Sequence, residues 1–294
     1  MIAHRWVLIT SAAFLALTAC ENQPEGEPVM RTALDGTEPT PKPEDSSENA
    51  EEEIVEAPSN PEPNATETPT IAVSACAKVS FDNAQFTHCV ADPAKHRIKT
   101  VRGPGGGRAY GSLSAYAATA DKTKVAFAMN AGAYGDDLRA LGYYVEDGER
   151  LKLLNREEGS ANFFLKPNGV FYGTAGQWRL RTTDSFLRNV SDRPNFGTQS
   201  GPMLVIDGKL HPEIQNDGPS RAVRNGVGLG ADGKAHFAIS EGPVSFGKIA
   251  RFFKDKLGTK TALLLDSNVS ALWDPATGRL DNKRAGPIVV VTKK

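Results

Sequence analysis

Val227-Gly228-Leu229-Gly230-Ala231-Asp232-Gly233-Lys234-Ala235-His236-Phe237-Ala238-Ile239 is the stretch that decides the architecture. Two apolar segments flank Asp232-Gly233, a pair that tolerates the positive φ angles of a tight hairpin turn. Asp147-Gly148, Asn168-Gly169 and Asp207-Gly208 repeat the signal. Around Asn168-Gly169, Asn162-Phe163-Phe164-Leu165 leads in and Val170-Phe171-Tyr172 leads out. Helical signals are sparser. Ser245 is placed to cap a helix running to Leu257, with Phe246, Ile249, Ala250, Phe253 and Leu257 on one face and Gly258 as its stop. A second helix is expected over Ser112 to Ala120, and Thr261 to Leu265 reads as a fully buried strand. The expected fold is α+β: a single domain, mainly of antiparallel hairpins with a few packed helices, preceded by a disordered tether.

The tether is legible from composition. His4 and Arg5 precede an apolar run from Trp6 to Leu17, too short and wrongly flanked for a spanning helix, so residues 1–19 read as an export signal. Leu17-Thr18-Ala19-Cys20 resembles the lipobox of bacterial lipoproteins, which implies lipidation of Cys20. Ordinary cleavage with a spare thiol is the alternative. In such lipoproteins Glu21 favours the outer membrane, here on its periplasmic side. Residues 21–70 hold 14 acidic residues against Arg31 and Lys42, nine prolines and no Phe, Trp or Tyr. Such a segment cannot bury enough apolar surface to offset its ordering entropy, and it reads as an acidic, Pro-rich linker.

Charge then separates the two regions. The whole chain carries −1, residues 21–70 carry −12 and Arg5 adds +1, which leaves +10 for the domain at residues 71–294. A basic domain attracts anionic ligands, although a solvated surface produces the same count. Zinc-finger spacing, an RNP-like motif and a recognition helix are all missing, which argues against nucleic acid. Cys76 and Cys89 are a candidate disulfide in an exported protein, with two reduced buried thiols as the alternative. Neither has CxxC spacing, and His88, His96 and His236 lack HExxH spacing. No cofactor and no metal centre are expected, with a divalent cation left open. Gly103-Pro104-Gly105-Gly106-Gly107-Arg108 lacks the phosphate-loop pattern and is expected to be a flexible hairpin tip.

Several polar residues stand beside glycine at the ends of apolar runs, an arrangement that delivers side chains to a cleft while the backbone approaches a ligand. In order they are Phe127-Ala128-Met129-Asn130-Ala131-Gly132-Ala133-Tyr134, Asn162-Phe163, Leu165-Lys166-Pro167-Asn168-Gly169-Val170-Phe171, Gln199-Ser200-Gly201-Pro202, Arg224-Asn225-Gly226-Val227-Gly228, Phe237-Ala238-Ile239-Ser240 and Leu265-Asp266. This ordered set resembles the phosphodiester glycosidase family over residues 95–292. The resemblance implies hydrolysis of a glycosyl phosphodiester by an envelope-tethered enzyme. The family pattern has glycine after the last aspartate, where this chain has Ser267-Asn268.

Breaking a sugar–phosphate C–O bond builds positive charge at the anomeric carbon and negative charge on the departing phosphate. Asp266, ending an apolar strand, is the candidate catalytic carboxylate; its alternative is a turn cap. Arg224 offers a planar fork to phosphate, with Arg221 as a competing choice. Asn130 is the third catalytic candidate, as a donor to sugar or phosphate, against the alternative of satisfying its own turn. Gly132, Ser200, Gly201, Glu241, His211 and Ser270 are the candidate substrate-binding residues. Ser270 has no histidine relay and is not expected to be a nucleophile. Glu241, Asp136 and Asp137 are alternatives for a second carboxylate. Two other functional classes stay open: an inactive envelope-glycan or sugar-phosphate binding module, and a metal-dependent phosphodiesterase that breaks P–O.

Overall fold

The computed structural model describes residues 73–174, 176–189 and 193–294. The export signal, Cys20 and the acidic linker lie outside the described residues. In chain order the strands begin with β1 (Cys76–Phe81), β2 (Ala84–Ala91), β3 (His96–Val101), β4 (Val125–Asn130), β5 (Tyr144–Glu146), β6 (Glu149–Lys152), β7 (Gly169–Thr174), β8 (Gln177–Thr182) and β9 (Phe196–Ser200). They continue with β10 (Met203–Ile206), β11 (Lys209–Leu210), β12 (Asn225–Leu229), β13 (Ala235–Ser240), β14 (Thr261–Asp266), β15 (Leu272–Asp274), β16 (Arg279–Leu280) and β17 (Ile288–Lys293). Three short helices join them: α1 (Leu113–Ala117), α2 (Thr183–Asn189) and α3 (Phe246–Arg251).

Three antiparallel sheets result, in the orders β1-β2-β13-β12-β14-β10-β11, β16-β15-β4-β17-β3 and β6-β5-β9-β7-β8. The α+β class therefore holds. The sheets share one apolar core, to which Val227, Phe237, Leu263 and Leu265 come from the first sheet. Phe127, Met129, Val289 and Val291 come from the second, and Phe171, Trp178, Leu180 and Phe196 from the third. Phe237 marks the junction. Its ring meets Phe127 edge-on at 5.3 Å and Phe171 at 5.8 Å, so one side chain of β13 touches all three sheets. Ile288–Val291 is buried without alternation because β17 lies between β4 and β3, with the shared core on one face and α1 with Trp273 on the other.

Ser245 caps α3 by accepting a hydrogen bond from the Lys248 N–H at 3.0 Å. The expected regular helix to Leu257 is only partly regular. After Arg251 the chain widens into a π-helical turn over Phe252–Lys256, and Gly258 ends it at φ +66°. Apolar spacing alone selects Phe253; the widened turn buries Phe252 as well, stacked on Phe86 at 4.1 Å. The first helix is shorter than expected, from Leu113 to Ala117, and is capped by the Ser112 hydroxyl.

Turn chemistry divides the hairpin expectations. Asp147-Gly148 and Asp207-Gly208 each take positive φ at both residues, as primed two-residue turns require. At Asp232-Gly233 only Gly233 does, and the turn is wider, closed by a Gly230 N–H to Lys234 C=O bond of 3.0 Å. Asn168-Gly169 is not a hairpin turn. Asn168 is buried, donates to the Phe163 carbonyl at 2.9 Å and accepts from the Thr183 hydroxyl at 2.7 Å, while Gly169 opens β7. Asp82-Asn83 turns β1 into β2 with φ of 47° and 57°, a hairpin without the glycine that would advertise it. Residues 103–108 form a short 3-10 turn between β3 and α1, closed by Tyr110 N–H on the Arg102 carbonyl at 2.8 Å; the expected hairpin tip is corrected to this closed loop. Cys76 and Cys89 face each other across β1 and β2 and are joined by a disulfide.

Candidate active site

The site is built from strand ends. β4 finishes at Asn130, β9 at Ser200 and β14 at Asp266, while β12 starts at Asn225, opposite Asp266. Asn130 is fully buried, and its amide joins its own motif to that of Asn225 and to the segment after Asp266. Oδ1 accepts from the Ala271 N–H and from Asn225 Nδ2, both at 2.8 Å, and Nδ2 donates to the Val269 carbonyl at 2.9 Å. The Ser270 hydroxyl donates to the Val223 carbonyl at 3.0 Å, with Asn225 Oδ1 at 3.3 Å. These polar atoms are satisfied by one another, as burial demands.

Asp266 is 5% exposed. Its Oδ1 accepts from the N–H groups of Asn268 at 2.7 Å and Val269 at 3.2 Å, which also brings that turn within reach of Asn130. Burial pushes its carboxyl above the ordinary aspartate range, opposed by the backbone N–H bonds of Asn268, Val269 and Ser267. Ser267 takes no positive φ, so a side chain after Asp266 meets no backbone strain where the family pattern has glycine.

Ser200 is fully buried and spans two strands. Its hydroxyl donates to the Leu265 carbonyl at 2.5 Å and accepts from the Ala133 N–H at 3.4 Å. Gly132 donates to the Thr198 hydroxyl at 3.0 Å, and a Cβ there would stand 2.2 Å from the Gln199 carbonyl. At Gly201 a Cβ would stand 2.4 Å from the Phe163 carbonyl. These two glycines let the β9 end and its neighbours pack directly against backbone.

Arg224 occupies a different setting. Adjacent residues of a strand face opposite ways, so Arg224 does not share the polar cluster of Asn225. It is 1% exposed; Nε donates to the Val244 carbonyl at 3.0 Å, and Nη2 donates to the Ser220 hydroxyl at 2.9 Å. The guanidinium lies 3.5 Å over the Phe246 ring. Nη1 is without a hydrogen bond, and burial lowers the pKa to about 10. Arg221, by contrast, is exposed and pairs with Asp217 at 2.6 Å.

The remaining candidates are scattered. Glu241 pairs with Arg279 at 2.6 Å and accepts from Thr87, in a cleft beside Asp274 and Asp281. His211 is buried in a turn, where Nδ1 accepts from the Glu213 N–H at 3.2 Å; burial lowers its pKa. Asp136 and Asp137 are both exposed in the loop after Tyr134, where Asp137 accepts from the Arg139 N–H at 3.0 Å. Among the described residues no three His, Cys, Asp or Glu gather as a metal-binding group. Nor is any helix among them long and apolar enough to cross a membrane.

Two residues at the site had no role in the sequence reading. Asn225 was visible only as part of the Arg224-Asn225-Gly226 motif; strand alternation with Val227 is the signal that turns it toward the core. Tyr134 ended the Asn130 motif but carried no periodic signal. Burial, and then the charge of Asp266, push its phenol up to about 12.

Fold and site together define a mixed α+β protein whose buried carboxylate sits where the strand ends of antiparallel sheets converge. Residues 123–274, just over half of the chain, match the family model described as phosphodiester glycosidase. The chain belongs to the phosphodiester glycosidase family. It is 34% identical over 183 residues to the uncharacterized protein YigE of Escherichia coli (strain K12), a match covering 62% of this chain and 71% of that one. The catalytic domain of zebrafish N-acetylglucosamine-1-phosphodiester alpha-N-acetylglucosaminidase, solved in a form auto-inhibited by its pro-peptide, superposes with a TM-score of 0.52 at 15% identity. That likeness covers 74% of this chain and 82% of the other, and it concerns the fold. A putative exported protein of Burkholderia pseudomallei K96243 aligns at a TM-score of 0.45 and 11% identity, over 71% of this chain and 74% of its own.

Proposed function

We propose that this domain hydrolyses a glycosyl phosphodiester, breaking the bond between the anomeric carbon and the phosphate oxygen. The observation that carries the proposal is Asp266. It is a buried carboxylate, held by two backbone N–H groups at the end of β14, inside the stretch matched by the family model. Its negative charge stabilises the cationic anomeric centre or activates the incoming water. Water oxygen bonds to the anomeric carbon, the C–O bond electrons leave with the phosphate monoester, and the water proton passes to solvent through the carboxylate. A phosphate is already a good leaving group, so strong general-acid help is unnecessary.

Asn130 acts as a positioning residue, because its amide holds the Val269–Ala271 segment that follows Asp266. Arg224, set apart from the Asn130–Asn225 cluster, contributes a buried positive charge at the start of β12, engaged by carbonyls and a ring rather than neutralised by a carboxylate. Ser200, Gly132 and Gly201 shape the approach to Asp266. The domain works at the cell envelope, tethered through lipid on Cys20 and the linker that follows; this part rests on the sequence motif.

Turnover of a UDP-N-acetylhexosamine or another glycosyl phosphodiester in heavy-oxygen water tests the chemistry. Label on the sugar, lost in Asp266→Asn, supports C–O cleavage; label on the phosphate overturns it.

A further inference from the structure

We propose that Tyr134 and Arg284 form the phosphate-binding half of the Asp266 site. The inference rests on reading that site as one for glycosyl phosphodiesters. It begins at Ser200. One hydroxyl touches the Leu265 carbonyl and the Ala133 N–H, and the residues immediately beyond those two are Asp266 and Tyr134. Ser200 thereby ties the backbone just before the buried carboxylate of β14 to the backbone just before Tyr134 in the loop after β4, and the Asp266 charge reaches the phenol.

Tyr134 is held in place from its other side. Its hydroxyl donates to the Arg284 carbonyl at 2.9 Å, and its ring covers Gly286, where a Cβ would stand 2.5 Å from the ring. The strap carrying Arg284 is itself fastened, through a bridge between Arg284 and Ser112 and an Ala285 N–H to Gly111 C=O bond of 2.8 Å. The Arg284 side chain reaches back over the loop after Tyr134, where Nη2 donates to the Asp136 carbonyl at 2.5 Å. Arg284 is exposed and forms no ion pair among the described residues, and its charge also reaches the Tyr134 phenol.

The chemistry suits a departing phosphate. A guanidinium anchored at one nitrogen keeps its other donors for an anion, and its planar fork matches two phosphate oxygens. The phenol stays protonated near neutral pH, and its one O–H, given to the Arg284 carbonyl, holds the strap that carries the guanidinium, so Tyr134 positions Arg284 for the anion. Arg224 cannot take the contact role in the same way, since it is 1% exposed and three of its nitrogens are engaged or enclosed by Val244, Ser220 and Phe246. In the proposed arrangement the exposed Arg284 guanidinium takes the phosphate while the buried Asp266 carboxylate serves the anomeric carbon, one at each end of the scissile bond.

The test uses the full chain with Cys20→Ser, carrying Arg284→Gln, Arg284→Lys or Tyr134→Phe, each checked for an unchanged melting temperature. Inorganic phosphate binding by calorimetry is the first arm. Arg284→Gln is expected to weaken it at least tenfold, with partial recovery in Arg284→Lys. The second arm compares a glycosyl phosphodiester with an aryl glycoside of the same sugar. Arg284→Gln is expected to raise KM for the diester alone, and Tyr134→Phe, which frees the Arg284 strap, to raise it by a smaller factor. Phosphate binding that is absent, or equal in parent and Arg284→Gln, overturns the inference. If the parent binds phosphate through Arg284 but turns over neither substrate, the hydrolase reading fails while the anion site stands.

Discussion

Asn225 donates its side-chain amide to Asn130 Oδ1 at 2.8 Å, tying the start of β12 to the end of β4 across two different sheets. Both residues are fully buried. The same Asn130 oxygen accepts from Ala271, so one amide group couples two sheets to the segment after the catalytic candidate.

Removing that amide leaves buried donors without partners. Asn130→Ala is expected to lower unfolding stability by about 1–3 kcal/mol, the cost of an unsatisfied buried polar group. Urea denaturation measures it. If Asn130 positions the Asp266 turn, kcat also falls while KM changes little. A stability loss with unchanged kcat would confine Asn130 to the scaffold.

Asp266→Asn preserves the acceptor for Asn268 and Val269 while removing the charge. Activity is expected to drop roughly 10²–10⁴-fold, the range for a group acting directly on proton transfer. Stability should move the other way. Because burial raises the folded-state pKa of Asp266, its favourable contribution is complete at low pH and is lost as pH rises through that pKa. Above it, the asparagine variant should match or exceed the parent in melting temperature. In the parent, the acid limb of the rate profile should lie above the ordinary aspartate range.

His88 Nε2 and His236 Nδ1 stand 3.0 Å apart, with ring planes only 11° from parallel. One ring donates to the other, which requires at least one neutral imidazole. Burial, and then His236, lower His88 from 6.5 to about 4, and burial lowers His236 as well. A depressed histidine pKa gives stability that is present above the unfolded value and lost as pH falls through the folded one. Melting temperature is therefore expected to decline between about pH 6.5 and pH 4. His88→Gln should flatten that decline; an unchanged slope would assign it to other groups.

Cys20→Ser is expected to move the protein from the membrane to the soluble periplasmic fraction and to abolish incorporation of a labelled fatty acid. Retention at the membrane without label would replace the lipid anchor with another form of attachment.

Local rules carried much of the architecture. Primed turns at Asp147-Gly148 and Asp207-Gly208, the Ser245 cap and the buried Thr261–Asp266 strand follow from short-range sterics and capping, which adjacent residues fully encode. The same rules misplaced Asn168-Gly169, because its buried amide is spent on Phe163 and Thr183, partners recruited by packing. They also overlooked Asp82-Asn83, whose left-handed conformations carry no glycine.

From its residues alone the chain determined an α+β domain of antiparallel hairpins, a family resemblance, and Asp266 as the carboxylate to watch. Tertiary structure decided what surrounds that carboxylate. It set Asn225 rather than Arg224 in the polar cluster, took Glu241 to Arg279, and joined the backbone before Tyr134 to the backbone before Asp266 through a single serine hydroxyl. Strand alternation and turn preference act over a few residues and can be read in sequence. The links from Tyr134 to Arg284 and from Ser200 to Ala133 and Leu265 depend on how three sheets pack around Phe237, and no local pattern encodes contacts between positions so far apart.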